Sequence, residues 1–98
     1  MGGHSMVKVK FYATFRELVG RKELEINGVN TVGELLEKLF ELYPEMRREL
    51  FTERALKAGK PVDGMVLVNG VNILHINSLE TKLGEEDVVH IFPPAGGG

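Results

Sequence analysis

Residues 31–44, TVGELLEKLFELYP, contain the pattern that decides the fold. Charged side chains take one face of a helical projection, and apolar side chains recur at helical spacing on the other: Val32, Leu35, Leu36, Leu39, Phe40 and Tyr43. Thr31 precedes Glu34 by three positions, which is the spacing of a capping box, and Pro44 stops the pattern. We therefore predict one main amphipathic helix whose apolar stripe another layer must cover.

Short segments on both sides of this helix are predicted to supply a sheet as that layer. Residues 7–15 alternate strictly between apolar and polar side chains, and residues 23–26 alternate again before Asn27-Gly28. These two segments predict a β-hairpin, with residues 16–20 as its short turn. Further strands are predicted after the helix at residues 65–68, 71–76 and 88–92.

The remaining segments are predicted to be turns and loops. Residues 45–51 are expected to add a short helical turn after Pro44, and Gly59, Pro61 and Gly64 indicate a long loop over residues 52–64. A further helical turn is expected between Leu79 and Leu83, followed by a turn at residues 84–87.

The last strand is expected inside the sheet, parallel to the first strand. Val89 and Ile91 would then face the core, with Val88, His90 and Phe92 on the outer face. The sequence thus predicts an α+β fold, a mixed sheet of about five strands with one main helix packed on one face, in a single domain over residues 6–94. Residues 1–5, MGGHS, are interpreted as an expression scar, and residues 95–98 as a flexible C-terminal glycine tail.

Composition excludes several classes of function. The formal net charge of -2 at pH 7 argues against a nucleic-acid binder, since neutralising phosphates needs a surplus of Lys and Arg. No apolar run approaches about 18 residues and no signal peptide is evident, so we expect no membrane contact and a cytoplasmic location. The chain has no cysteine, which excludes disulfides and thiolate catalysis. His75 and His90 lack companions at ligand spacing, so no metal site is expected.

Three stretches together resemble the ubiquitin-like β-grasp sulfur carriers. They are VKVKFYATFRELVG at residues 7–20, VLVNGVNI at residues 66–73 and GEEDVVHIFPPAGGG at residues 84–98. The likeness is strongest to the MoaD family, the small subunit of molybdopterin synthase, to which ThiS and the small archaeal modifier proteins are related. It covers nearly the whole chain from Met6 and implies the β-grasp fold.

The resemblance implies that the C-terminal carboxylate of Gly98 carries the chemistry. An E1-like adenylyltransferase (MoeB-like) would use ATP to adenylate Gly98, and a sulfur donor enzyme would then replace AMP and leave a thiocarboxylate. The large subunit of molybdopterin synthase (MoaE-like) would pass this sulfur to a cyclic pterin in molybdenum cofactor biosynthesis. The chain would bind no cofactor and would not be catalytic alone. The absence of cysteine suits this role, because the carried sulfur has no local thiol with which to exchange.

The tail sequence has a mechanical interpretation. Pro93 and Pro94 fix φ and lack backbone N–H donors, so they should end the strand and project an extended segment. Residues 95–98 can reach about 13 Å beyond them. Gly96, Gly97 and Gly98 carry no side chain, and Gly97 and Gly98 would fit a channel too narrow for any Cβ.

The resemblance also implies a docking surface beside this tail. Phe92 would insert into a partner pocket, with Tyr12, Arg16 and His90 contributing and Pro93 and Pro94 adjoining it. Phe92 has a second interpretation as a core residue at a strand end. Arg16 has one as a solvated surface charge.

Other functions stay open at this point. The chain is alternatively a protein modifier that joins Gly98 to a target lysine, or a sulfur carrier for thiamine or tRNA thiolation. Gly96 stands where relatives often carry a larger residue, which leaves the acceptor open. A further hypothesis is an interaction domain whose glycine tail is only a flexible end.

Overall fold

The computed structural model describes residues 6–95, which form a five-stranded mixed sheet with its main helix packed on one face. The strands are β1 (Met6–Phe11), β2 (Glu23–Asn27), β3 (Met65–Val68), β4 (Val71–Asn72) and β5 (Val88–Phe92). The helices are α1 (Thr14–Val19), α2 (Val32–Leu42), α3 (Pro44–Leu50) and α4 (Glu53–Lys57), with 3₁₀ turns at Ile73–His75 and Ser78–Glu80. The predicted expression scar at residues 1–5 lies outside the described residues.

The strand order is β2-β1-β5-β3-β4, so the last strand in sequence occupies the centre of the sheet. β1 and β5 run parallel, with Phe11 opposite Ile91, while the other neighbouring pairs are antiparallel. This is the topology that the resemblance implies. The predicted α+β fold, with β5 inside a mixed sheet, is confirmed.

Helix α2 begins and ends as the sequence predicts. The Thr31 hydroxyl accepts a hydrogen bond from the Glu34 backbone N–H at 3.1 Å, while the Glu34 carboxylate accepts one from the N–H of Asn30 at 2.7 Å. The second bond of the capping box therefore reaches one residue further back than expected. Pro44 ends α2 and opens α3 at once, because its fixed φ suits a first helical position.

The inner face of the sheet packs against α2 to form the core. Fully buried side chains come from three adjacent strands and from the helix stripe: Val7, Val9, Phe11, Val66, Val89, Ile91, Val32, Leu35, Leu36 and Leu39. Tyr43, the last apolar residue of the predicted stripe, is only partly buried. In the described part of the chain, no helix is long and apolar enough to cross a membrane.

The predicted first strand is too long, because a helix replaces its second half. β1 stops at Phe11, and Ala13 is exposed with φ at 54°, which breaks the extended conformation. Phe15 is buried as expected, but it reaches the core from α1. The predicted turn at residues 16–20 is wrong for the same reason, since α1 continues to Val19 and Gly20 caps it at φ 80°.

The predicted loop at residues 52–64 contains a second unexpected helix, α4. Thr52 caps it, since its hydroxyl accepts a hydrogen bond from the backbone N–H of Ala55 at 3.0 Å. Ala55 turns into the protein, and it is 3% exposed. Gly59, with φ at 72°, follows the helix and turns the chain back towards β3.

The predicted strand at residues 71–76 pairs only at Val71–Asn72. The Asn72 side chain accepts a hydrogen bond from the Leu74 backbone N–H at 2.9 Å and caps the 3₁₀ turn Ile73–His75, so a local bond replaces strand pairing. The helical turn expected between Leu79 and Leu83 lies slightly earlier, at Ser78–Glu80.

Two leucines of α2 test this account of the core. Leu39 is fully buried and Leu42 is 57% exposed, three positions further along the same helix. We expect Leu39→Ala to lower the free energy of unfolding by about 2–5 kcal/mol, since it leaves a cavity. Leu42→Ala should change it by less than about 0.5 kcal/mol. Urea unfolding followed by circular dichroism measures both, and equal effects would contradict the packing described.

Candidate functional site

The candidate site lies on the outer face of the sheet, where β5 ends and the chain continues into the tail. The parallel register pairs Lys10 with His90, so the residues after β1 run beside the end of β5. The ring of Tyr12 stacks on the ring of Phe92, with centroids 4.2 Å apart and planes 8° from parallel. Such pairs contribute about 0.5–1.5 kcal/mol beyond the area that they bury.

Two further side chains complete this cluster. The Tyr12 hydroxyl and His90 Nδ1 are 2.7 Å apart and share a hydrogen bond. The Arg16 guanidinium lies 5.6 Å from the centre of the Tyr12 ring, and its Nε donates to the carbonyl of Phe11 at 3.2 Å. Helix α1, which the sequence did not predict, holds Arg16 in that place. We call Tyr12, Arg16, His90 and Phe92 the aromatic patch.

The outer position of Phe92 decides between the two interpretations of this residue. Its ring is half-buried against Tyr12 and takes no part in the core, whereas Val89 and Ile91 are fully buried on the other face of β5. Phe92 is therefore not a core residue at a strand end. Its insertion into a partner stays a prediction, as does the contribution of Tyr12, Arg16 and His90.

The last strand ends where the sequence predicts. β5 ends at Phe92, directly before the two prolines, and both Pro93 and Pro94 are half-buried. Ala95 is exposed and is the last residue that the structure describes. Gly96, Gly97 and Gly98 lie outside the described residues, so their predicted roles stay predictions.

Strand β3 adds two apolar residues to this face that the sequence did not single out. Met65 pairs with Phe92 and Leu67 pairs with His90, and Met65 is 37% exposed. The alternation of residues 65–68 marks Val66 and Val68 as inward-facing, but only the pairing of β3 with β5 places Met65 and Leu67 beside the aromatic patch.

The aromatic patch and its surroundings are positively charged. Burial, and then the nearby ammonium of Lys10, lower the pKa of His90 below its usual value. His90 is therefore neutral at pH 7, and Arg16 and Lys10 supply positive charge around the aromatic rings. Within residues 6–95, no three His, Cys, Asp or Glu side chains lie close enough together to hold a metal ion.

Known proteins share this fold and sequence pattern. The ThiS family model matches residues 9–98. Small archaeal modifier protein 3 of Haloferax volcanii is 33% identical over 94 residues, which cover 94% of this chain and 98% of that protein. The solution structure of small archaeal modifier protein 1 from Methanosarcina acetivorans superposes with a TM-score of 0.75 at 33% identity, covering 99% of this chain and 100% of that one. A putative molybdopterin converting factor, subunit 1, from Pyrococcus furiosus gives a TM-score of 0.68 at 30% identity, covering 91% and 97%.

His90 should make stability depend on pH. Because its pKa is lowered in the folded state, the unfolded state binds more protons just below about pH 6.5. We therefore expect the free energy of unfolding to rise with pH up to about 6.5, and His90→Gln to remove that component. Nuclear magnetic resonance titration of the His90 ring gives the pKa directly, and Lys10→Gln should raise it. A folded-state value at or above about 6.5 would contradict this account of the patch.

Proposed function

Because the chain belongs to the ThiS family, we propose that it is a sulfur carrier that donates sulfur from Gly98 in molybdopterin biosynthesis, as the small subunit of molybdopterin synthase. The observation that carries the proposal is the aromatic patch at the root of the glycine tail, where Tyr12 stacks on Phe92. The patch offers a surface on which a partner protein can dock, and the tail carries the C-terminal group from which sulfur is donated.

The chemistry of the tail requires activation by another protein. A free C-terminal carboxylate, with a pKa of about 3.5, is ionised at neutral pH and is a poor acyl donor. An E1-like adenylyltransferase (MoeB-like) joins it to the α-phosphate of ATP and releases pyrophosphate. Hydrosulfide supplied by a sulfur donor enzyme then attacks the acyl carbon and displaces AMP, leaving the thiocarboxylate on Gly98. The need for ATP in these steps supports a cytoplasmic location as part of the proposal.

The aromatic patch matches the needs of a docking surface. Large aromatic side chains and arginine dominate the binding energy of protein interfaces, and the patch presents Phe92, Tyr12 and Arg16 together. A pocket in the large subunit (MoaE-like) receives Phe92, with acidic groups facing Arg16 and Lys10. Docking there brings the tail to the active site of the partner, because Pro93 follows Phe92 directly.

One relative favours a pterin as the acceptor of the sulfur, and two others favour a different acceptor. The Pyrococcus furiosus protein named as a putative molybdopterin converting factor subunit favours molybdopterin synthesis. The two relatives named as small archaeal modifier proteins favour a second candidate, a protein modifier joined through Gly98 to lysines. Both candidates begin with the same adenylate. They differ in whether sulfur or a lysine amine displaces AMP.

The first test is the mass of the protein isolated from its own cells and of the protein treated with activating enzyme, ATP and sulfur donor. We expect a fraction heavier by about 16 Da that reacts with a thiol-specific alkylating agent. The alkylation is necessary because a methionine sulfoxide adds nearly the same mass, about 16 Da, but has no thiol. With no cysteine in the chain, an alkylated product identifies the thiocarboxylate. Deletion of Gly97 and Gly98 should abolish it and leave the fold intact.

The results of this test distinguish the two candidate functions from each other and from neither. A thiocarboxylate that restores pterin synthesis with a matching large subunit supports the proposal. If no alkylated fraction forms, and tryptic digests instead show target lysines that carry the branch of residues 83–98, which trypsin leaves because Lys82 is the last basic residue of the chain, the modifier function replaces it. If the truncated chain keeps its activity, both functions are refuted.

Replacement of Phe92 tests the docking surface. Phe92→Ala should weaken binding to the large subunit by about 1–3 kcal/mol in titration calorimetry, because it removes a central aromatic anchor. Leu56→Ala is the control, since Leu56 is also apolar, is 78% exposed and lies on α4, outside the patch. Equal affinities for Phe92→Ala and the unaltered protein would show that the partner binds elsewhere.

A further inference from the structure

The segment that precedes β3 lies directly against the root of the tail. Gly64 comes just before Met65, whose pairing partner is Phe92. A Cβ placed on Gly64 would overlap the carbonyl oxygen of Phe92 and would lie 3.0 Å from the carbonyl carbon of Pro93. On its other side it would meet Leu50 Cδ2 at 3.1 Å. Two stretches of main chain therefore approach so closely that only a glycine fits at this point.

The residue before Gly64 is fixed by a network of hydrogen bonds. The Asp63 carboxylate accepts from the Thr52 hydroxyl at 2.8 Å and from two Arg54 nitrogens, Nη2 at 3.0 Å and Nε at 3.2 Å. Its backbone N–H donates to the carbonyl of Leu50 at 2.7 Å. We call Leu50, Thr52, Arg54, Asp63 and Gly64 the tail bracket. The bracket joins the end of α3, the start of α4 and the start of β3.

The negative charge of Asp63 strengthens the hydrogen bonds of the tail bracket at neutral pH. Hydrogen bonds from Thr52 and then from Arg54 lower the pKa of its carboxyl group, so the group is ionised. A charged acceptor makes stronger hydrogen bonds than a neutral one. The segment at residues 52–64 is thus a fixed support, although its glycines and proline predict a loop.

The direction of the tail depends on the peptide unit that Gly64 touches. The carbonyl group of Phe92 belongs to the peptide bond that leads into Pro93. Pro93 and Pro94 both have a fixed φ, so a change of direction at Phe92 passes to the residues that follow with little local adjustment.

We propose that Gly64, held by the tail bracket, is a positioning residue that sets the direction in which the tail leaves β5. This inference rests on the proposed function of the tail as a carrier. It assigns a role to the segment at residues 52–64, which touches the tail root through main-chain atoms and takes no part in the aromatic patch. A displacement of about 1 Å at a reacting group lowers a reaction rate by up to about 100-fold, so a misdirected tail should be a poor substrate.

The test compares two alanine substitutions that add the same methyl group. Gly64→Ala places it against the main chain of Phe92 and Pro93. Gly84→Ala places it where the nearest atom is Asp87 Oδ2 at 3.8 Å, so it serves as the matched control. Because the chain has no cysteine, spin labels can be attached through Glu25→Cys on β2 and Ala95→Cys at the start of the tail. Double electron–electron resonance then gives the distribution of distances between them.

We expect Gly64→Ala to shift or broaden this distribution while Gly84→Ala leaves it unchanged. With the activating enzyme, Gly64→Ala should lower the turnover of adenylation by about 10- to 100-fold and weaken enzyme binding much less. An unchanged distribution in folded Gly64→Ala, or a normal turnover, would overturn the inference. If the unaltered protein is not adenylated at all, the proposed function fails, and the distances still decide whether Gly64 directs the tail.

A milder substitution covers the case in which Gly64→Ala does not fold. Asp63→Asn keeps the size of the side chain but removes the charge that binds Thr52 and Arg54. We expect it to broaden the same distribution while the circular dichroism of the domain stays that of the unaltered protein. A distribution identical to that of the unaltered protein would show that the bracket does not control the tail.

Discussion

The parallel pairing of β1 with β5 at the centre of the sheet is the constraint on which the rest of the structure depends. Parallel neighbours cannot be joined by a tight hairpin, so the chain between them must cross over, and that crossover contains every other element described here. Helix α2 covers the pair on its inner face, where Val9 and Val89 are fully buried opposite each other. The same pairing carries Tyr12 to the side of Phe92 on the outer face. Fold and candidate site therefore depend on one register.

Alternation along β5 places the residues that stabilise the fold on one face of the sheet and the residues of the candidate site on the other. Val89 and Ile91 point inwards and stabilise the domain, while His90 and Phe92 point outwards and form the surface beside the tail. Because successive side chains lie on opposite faces, the outer face can change its partner without changes to the core. Relatives named for modification and for molybdopterin conversion share this fold with the present chain, which agrees with that separation.

The elements that were predictable are those in which a local pattern agrees with the final packing. Helix α2 has periodicity, a cap and a proline stop, and β5 has alternation and two prolines. Helix α1 was not predictable, because Phe15 continues the period of β1 although Ala13 has already left the extended conformation. Helix α4 was hidden by the glycines and proline that follow its cap at Thr52. The aromatic patch was named from a resemblance, and its stacking and hydrogen bonds needed the structure. The tail bracket had no local signal, because the need for glycine at Gly64 comes from a strand much later in the chain.

The central position of β5 has a consequence for the synthesis of the protein. Chains are made from the N-terminus, so β1, α2 and β3 all leave the ribosome before the strand that must lie between β1 and β3. Until β5 follows, Val9 in β1 and Val66 in β3 lack the strand that lies between them, and the sheet is incomplete. A product interrupted before Val88 lacks both the strand and the tail. Completion of the core and acquisition of the tail are thus nearly one event, so any chain long enough to include the tail also has the strand that completes the fold.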